Sequence, residues 1–305
     1  MAFLRLKPVY KHSLWGNTRL KEQFNKQTDA SVISESWELS VHPDGYSLID
    51  SGNHKGKTLA EYLGFKENFP LLIKFIDTRQ STSIQVHPTQ KYADKQEDVQ
   101  AKTEAWYIAD ADKDAFLYMG FTKDMTEQEV RDKIQNNTLS EVLHKIPVQK
   151  GDLYFVPAGL IHAIGANILL YEVQQNSNTT YRLYDFNRRD QEGNLRALQV
   201  KEALEVMDFS VYHPEQILKE IHIENGYEQK DLLNCDYFRI SEITIHEKYS
   251  FTAQKPFMVF TCLNGEGIIY DKQESLTFRK GDTVYSDTEG ILTIKGNCEV
   301  IQTTL

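Results

Sequence analysis

Gly151-Asp152-Leu153-Tyr154-Phe155-Val156-Pro157-Ala158-Gly159-Leu160-Ile161-His162 is the stretch whose reading decides the fold. A Gly-Asp pair is a turn signal, and the four apolar and aromatic residues after it are too few for a helix but suit a strand. Rigid Pro157 and permissive Gly159 then turn the chain again and aim one histidine, His162, inward. A faint repeat of this unit lies downstream. Lys150-Gly151-Asp152 leads into LYFV and a glycine at 159, and Lys280-Gly281-Asp282 leads into TVY and a glycine at 290. Outward from these turns, short apolar or alternating runs dominate: LLIKFID at 71–77, SIQVHP at 83–88, AWYIA at 105–109, AFLYMGF at 115–121, and from Tyr237 onward FRISEITI, FMVFTCL, GIIYD, SLTF, DTVYS and TIKG, with NGEG read as a turn between FMVFTCL and GIIYD. These are strand signals. Only 126–144, with Val130, Ile134, Val142 and Leu143, and 197–208, with Leu198, Ala203, Leu204 and Met207, carry helical spacing. The expected fold class is therefore all-β with short helical inserts.

Composition narrows the function. The chain has 305 residues, 40% of them hydrophobic, enough to fill real cores without staples. Its 44 acidic against 34 basic residues give a net charge of −10, the wrong sign for a nucleic-acid footprint. The cysteines Cys235, Cys262 and Cys298 have no CxxC spacing and read as buried thiols of a reducing compartment. No segment reaches the roughly 18 apolar residues of a membrane span, and Arg5 and Lys7 interrupt the opening run. The expected setting is the cytoplasm.

In SIQVHP a strand puts Gln85 and His87 on one face and Ile84 and Val86 on the other. An isolated QxH is more often the solvated face of an amphipathic strand than a ligand pair, so other residues have to decide. The positions G-x5-P-x-G-x2-H at 151–162 do so. They resemble the second metal-binding motif of the cupin superfamily, with Asn167 one position later than the motif's asparagine. With Trp15-Gly16, FPLLIKFID at 69–77, SIQVHP, KTEAW at 102–106, VPAGLIHAIG at 156–165 and YEVQQNSNTTYRLYDF at 171–186, the chain resembles the type I mannose-6-phosphate isomerases of the short bacterial form. Two positions depart from that pattern. Asn17 stands where a second glycine is common, and Asn178 where an aspartate is more usual.

The repeated KGD unit points to two related cupin-like jelly-roll barrels, a catalytic domain over 1–225 and a smaller C-terminal domain over 226–305, which lacks any HxH or QxH and is expected to carry no metal. The resemblance implies one divalent ion on Gln85, His87, Glu104 and His162, and a pocket that includes Trp15, Lys74, Ser83 and Glu172. Two imidazoles and two oxygens suit Zn²⁺, and Mn²⁺, Co²⁺ or Fe²⁺ also match. The implied activity, interconversion of mannose 6-phosphate and fructose 6-phosphate through an enediolate, needs a proton carrier and cations for the phosphate. Arg182 and Lys102 are the candidate cations, with Glu172 as the candidate base; for Lys102 and Arg182 the competing reading is a solvated edge-strand charge. Lys74, inside an apolar run, is costly to bury unless its amine has a purpose. The expected partner is a small sugar phosphate, and the chain a monomer or homodimer. Two rivals stand beside this reading: a non-haem iron oxygenase with a 2-His-1-carboxylate triad, and a non-catalytic sugar-phosphate sensor.

Overall fold

The computed structural model describes residues 3–65, 69–190, 192–214 and 220–305. The chain is mostly strand, with a few short helices. Three sheets carry the architecture. A six-stranded sheet runs in the order Leu153–Val156, Glu104–Ala111, Ile168–Gln175, Leu71–Thr78, Glu35–Leu39, Val9–Lys11. A five-stranded sheet runs in the order Leu143–Pro147, Phe116–Phe121, His162–Ile164, Ile84–Val86, Tyr181–Tyr184. A ten-stranded sheet gathers the C-terminal strands. Among the described residues no helix is long and apolar enough to cross a membrane.

Both KGD segments are tight turns. Gly151 and Gly281 each sit at φ 89°, where an L side chain is strained, and they feed the strands Leu153–Val156 and Thr283–Ser286. The internal repeat is thus geometric as well as sequential. At Gly281 a Cβ would also lie 2.3 Å from the Phe24 carbonyl oxygen, so close chain approach excludes larger residues there.

Three expectations need correction. NGEG is not a turn: Met258–Tyr270 is one continuous strand, with a bulge between Cys262 and Asn264 and Gly265 at φ 74°. The four residues Asn264 to Gly267 pair residue for residue with Glu299 to Gly296, so composition alone misled. The helix expected over 126–144 ends at Gln135; Leu139–Val142 is a 3₁₀ turn and Leu143 already begins a strand. The helix expected over 197–208 spans Val200–Val206. The first strand also crosses the chain's apparent division, since Phe3–Lys7 pairs with Thr283–Ser286 of the C-terminal sheet. Position 225/226 falls in the turn of the hairpin formed by Glu220–Glu224 and Tyr227–Asn234.

The six-stranded sheet has two buried faces. Its back packs Phe75, Tyr107, Tyr171 and Val173 against Leu232, Phe238, Ile240, Val259 and Ile301 of the C-terminal sheet in one continuous core. Its front packs Ile76, Trp106, Ile108 and Leu170 against the five-stranded sheet. Two-sided burial explains why LLIKFID reads as a nearly unbroken apolar run.

Asp77, at the end of that run, is fully buried and accepts the backbone N–H of Leu20 at 3.2 Å. It serves the start of the helix Arg19–Phe24, whose own N-cap Thr18 makes no side-chain bond. Burial pushes its carboxyl up to about 7. A folded-state value above the unfolded one, about 3.9, costs no stability at low pH. The penalty then grows as pH rises from about 4 to 7 and is complete above that. Asp77→Asn keeps an acceptor for Leu20 and removes the buried charge. It is expected to stabilise the protein by roughly 2–4 kcal/mol at pH 8 and by nearly nothing at pH 4. Melting temperatures of both proteins across this range check it, and a gain independent of pH would contradict the assignment.

Candidate active site

Cross-strand pairing aligns the residues in two rows. In the five-stranded sheet His162 and Arg182 both sit opposite Gln85 on flanking strands. In the six-stranded sheet Trp37, Lys74, Glu172 and Trp106 are successive neighbours across four strands. Glu35 shares the face of Trp37, and Glu104 that of Trp106, by the period of two. The two rows meet between the sheets.

There His87, Glu104 and His162 converge, each no more than 1% exposed. His87 Nε2 lies 3.4 Å from Glu104 Oε2, and His162 Nε2 lies 3.5 Å from Glu104 Oε1. Each ring's far nitrogen is taken by a carbonyl: His87 Nδ1 by Thr179 O at 3.1 Å, and His162 Nδ1 by Leu160 O at 2.8 Å. Protons on both Nδ1 atoms leave both Nε2 lone pairs facing the carboxylate, the arrangement that presents histidine to a cation. His87 Nε2 and both Glu104 oxygens are buried with no hydrogen-bond partner. Lys102 Nζ is 2.9 Å from Glu104 Oε2, an ion-pair contact off the line of a hydrogen bond. Orphaned buried acceptors are costly, and a divalent ion would satisfy all three at once.

Protonation states agree. Burial, helped by the Lys102 ammonium, lowers His87 to about 3, and burial lowers His162. Burial alone would raise Glu104, but the Lys102 ammonium outweighs it and holds the carboxyl well below the usual range. All three are ready to ligate without losing a proton. Gln85 stands beside them with its amide nitrogen 3.3 Å from His162 Nε2 and its oxygen accepting from Ser83 Oγ at 3.3 Å. To offer oxygen to an ion, that amide must turn over.

A cleft of about 300 Å³ adjoins this cluster through Gln85 and Lys102, without being lined by His87, Glu104 or His162 themselves; Trp15, Lys74, Ser83, Glu172 and Arg182, the other expected pocket residues, also line it. Lys74, 3% exposed, holds its Nζ 3.4 Å from both Glu35 Oε2 and Glu172 Oε1, and 5.0 Å over the Trp37 ring. Burial would lower this amine, yet the two carboxylates outweigh it and raise it. Glu172 accepts from Trp106 Nε1 at 2.9 Å, while its Oε1 has no hydrogen-bond partner. Burial and the nearby Glu104 raise its carboxyl above the ordinary range. Arg182 lies on the edge strand Tyr181–Tyr184 but turns into the cleft, its Nε donating to Ser83 Oγ at 3.2 Å and its Nη1 to Ala197 O at 3.0 Å. Lys102 is buried, and Arg182, half-buried on its edge strand, lines the cleft.

Sequence reasoning missed Glu35, Thr180 and Arg196, which also line the cleft. Nothing in local spacing marks them. Two wider surface clefts, of about 630 and 560 Å³, meet this one only at its rim, through Asn178 and through Ser13, Trp15 and Arg196. Volume therefore does not single out this cleft, whereas the adjoining buried group of His87, Glu104 and His162, which could hold a metal ion, does. A second grouping, Glu220, His222 and Asp231, stands largely exposed on the C-terminal hairpin and brings His222 Nε2 3.5 Å from Asp231 Oδ2, a neighbour that the sequence did not suggest. Exposed acidic groups gather in this way without an ion.

Comparisons with known proteins point the same way. Residues 3–125 match the family described as "Phosphomannose isomerase type I, catalytic domain", and residues 228–305 match "Mannose-6-phosphate isomerase, cupin domain". Mannose-6-phosphate isomerase ManA of Bacillus subtilis is 36% identical over 289 residues, 92% of this chain and 91% of its own. Mannose-6-phosphate isomerase of Streptococcus mutans is 34% identical over 88% of this chain and 87% of its own. The crystal structure of the mannose 6-phosphate isomerase from Bacillus subtilis superposes with a TM-score of 0.93 at 30% identity, covering 100% of both chains. With its buried His-Glu-His cluster beside a cationic cleft, this chain belongs to the type I phosphomannose isomerase family, a metal-dependent family of aldose-ketose isomerases with a cupin-type fold.

Proposed function

We propose that this chain interconverts mannose 6-phosphate and fructose 6-phosphate with one divalent ion, most suitably Zn²⁺, held by His87, Glu104, His162 and a turned Gln85. The convergence of three orphaned acceptors beside a cleft of lysines and arginines carries the reading. ManA of Bacillus subtilis, similar to this chain over about nine-tenths of its length, is named as a mannose-6-phosphate isomerase. Catalysis belongs to residues 1–225, while 226–305 form a second, metal-free cupin-like barrel, and the setting is cytoplasmic.

An ion held by these residues would supply Lewis-acid stabilisation of the negative charge that develops on the sugar. The protein's side chains supply the rest. Glu172, whose Oε1 accepts no hydrogen bond and whose proton affinity is raised, takes the proton from C2 and, after exchange with solvent, delivers a proton to C1. Trp106 fixes its other oxygen. Lys74 sits between Glu35 and Glu172, so its charge is shared between two carboxylates. Lys102 is the candidate for the companion transfer between the two sugar oxygens. Arg182, on Ser83, faces the developing oxyanion or the phosphate.

A coupled assay tests the reading: purified protein should convert mannose 6-phosphate to fructose 6-phosphate, and chelation should stop it. In heavy water the fructose 6-phosphate formed early should carry deuterium at C1. Product formed without any label would favour a hydride shift and count against Glu172. An oxygenase would consume dioxygen, and a sensor would bind the sugar phosphate without turnover.

A further inference from the structure

We infer that the C-terminal β unit serves the active site by holding three of its strands from behind, through buried polar anchors with Tyr171, Tyr107 and Glu38 as positioning residues. The inference rests on the reading of Glu35, Glu104 and Glu172 as site residues. These three carboxylates lie on the front face of three different strands of the six-stranded sheet. Each of those strands presents a polar side chain on its back face, and each back-face group is tied to the C-terminal sheet.

The first anchor is on Glu35–Leu39. Glu38, fully buried, pairs with Lys26 Nζ at 2.7 Å and accepts from Ser36 Oγ at 2.6 Å and from Thr283 Oγ1 at 3.2 Å. Lys26 Nζ in turn donates to the Gly281 carbonyl at 2.6 Å. The second is on Ile168–Gln175, next to Glu172. The Tyr171 hydroxyl meets Thr261 Oγ1 at 3.0 Å, and Thr261 meets Thr283 at 3.0 Å, so the two anchors form one relay. The third is on Glu104–Ala111. The Tyr107 hydroxyl donates to Glu242 Oε2 at 2.9 Å, and Glu242 is paired with Lys230 at 2.7 Å.

The remainder of this interface is apolar, built from Phe75, Val173, Leu232, Phe238, Ile240, Val259 and Ile301. Apolar packing tolerates sliding, because many registers bury similar area. A buried polar relay does not, since its donors and acceptors are satisfied in one placement and costly in others. Adhesion alone would be served as well by hydrophobic residues at these positions. Polar anchors behind each carboxylate-bearing strand are what holding the front-face geometry requires, because small misplacements of reacting groups cost much of the rate.

The test compares the double variant Tyr107→Phe, Tyr171→Phe with Val300→Ala, which opens a void in the C-terminal core without touching the relay. Measured at 25 °C on folded, metal-loaded enzyme, the double variant should lose about tenfold or more in kcat with KM within about twofold. Val300→Ala should lower the melting temperature at least as much and leave kcat unchanged. Thr261→Val should reproduce the kcat loss in part, and Thr261→Ser should restore it. Wild-type kcat in the double variant, with a lowered melting temperature, would reduce the relay to stability alone and overturn the inference. Wild-type turnover in Glu172→Gln would instead overturn the site reading, and this inference with it.

Discussion

Glu104→Gln is expected to lose turnover by roughly a thousandfold or more and to retain little bound metal. The substitution keeps size and removes the one anionic oxygen pair in the cluster. Two neutral imidazoles and an amide then face a divalent ion with no charge to offset its desolvation. The Lys102 amine, 2.9 Å from Glu104 and 5% exposed, loses its ion-pair partner at the same time. Removing one partner of a buried pair costs about 3–5 kcal/mol, so the melting temperature should fall. The fold should survive, because the apolar cores on both faces of the sheet are untouched. Circular dichroism and metal analysis separate these effects. An unfolded Glu104→Gln protein would mean that the ion is structural, and a metal-loaded, active one would remove Glu104 from the ligand set.

Arg182→Ala is expected to lower kcat by about a hundredfold or more while KM moves little. Two of its guanidinium nitrogens are held by Ser83 and Ala197. Nη2 has no hydrogen-bond partner among the described residues and is the atom left for substrate. Burial and the flanking Arg196 and Arg188 lower its proton affinity, a sign of a crowded cationic end that a sugar-borne anion would relieve. Arg182 and His162 both pair in register with Gln85, which puts the guanidinium in the same row as the ligand cluster. That placement favours contact with the reacting oxygens, where charge develops in the transition state, over the distant phosphate. A phosphate anchor would give the opposite trace, a raised KM with kcat less affected, because its contact is alike in ground and transition states. Unchanged kinetics would remove Arg182 from the site.

How much of this was legible in the chain follows from how local each signal is. Gln85 and His87 share a face by the period of a strand, and His162 is aimed by Pro157 and Gly159 within five residues, so both could be read directly. Glu104 has no such mark. Its place among the ligands came from family resemblance, because its neighbours in space are 17 and 58 residues away by its distances in number from His87 and His162. Glu35 was invisible for the same reason: its contact with Lys74 exists only once Glu35–Leu39 lies beside Leu71–Thr78. Strand order is a tertiary choice that periodicity does not encode. Phe3–Lys7 shows this too, an ordinary strand at the N-terminus that closes onto Thr283–Ser286. The errors were also local. NGEG has the composition of a hairpin turn and instead pairs residue for residue inside one long strand, just after a bulge at Leu263, and the apolar spacing through Val142 and Leu143 continued a helical pattern past the point where a 3₁₀ turn hands over to a strand.

The central claim, that one divalent ion in the His87, Glu104 and His162 cluster makes this chain an aldose-phosphate isomerase, is tested most directly by titrating metal-free protein with Zn²⁺ while following fructose 6-phosphate formed from mannose 6-phosphate. The account predicts no turnover without metal, a linear rise, and a break at about one ion per chain. Full activity in metal-free protein, or a break at about two ions with the exposed Glu220, His222 and Asp231 group intact and at one when it is removed, would contradict it.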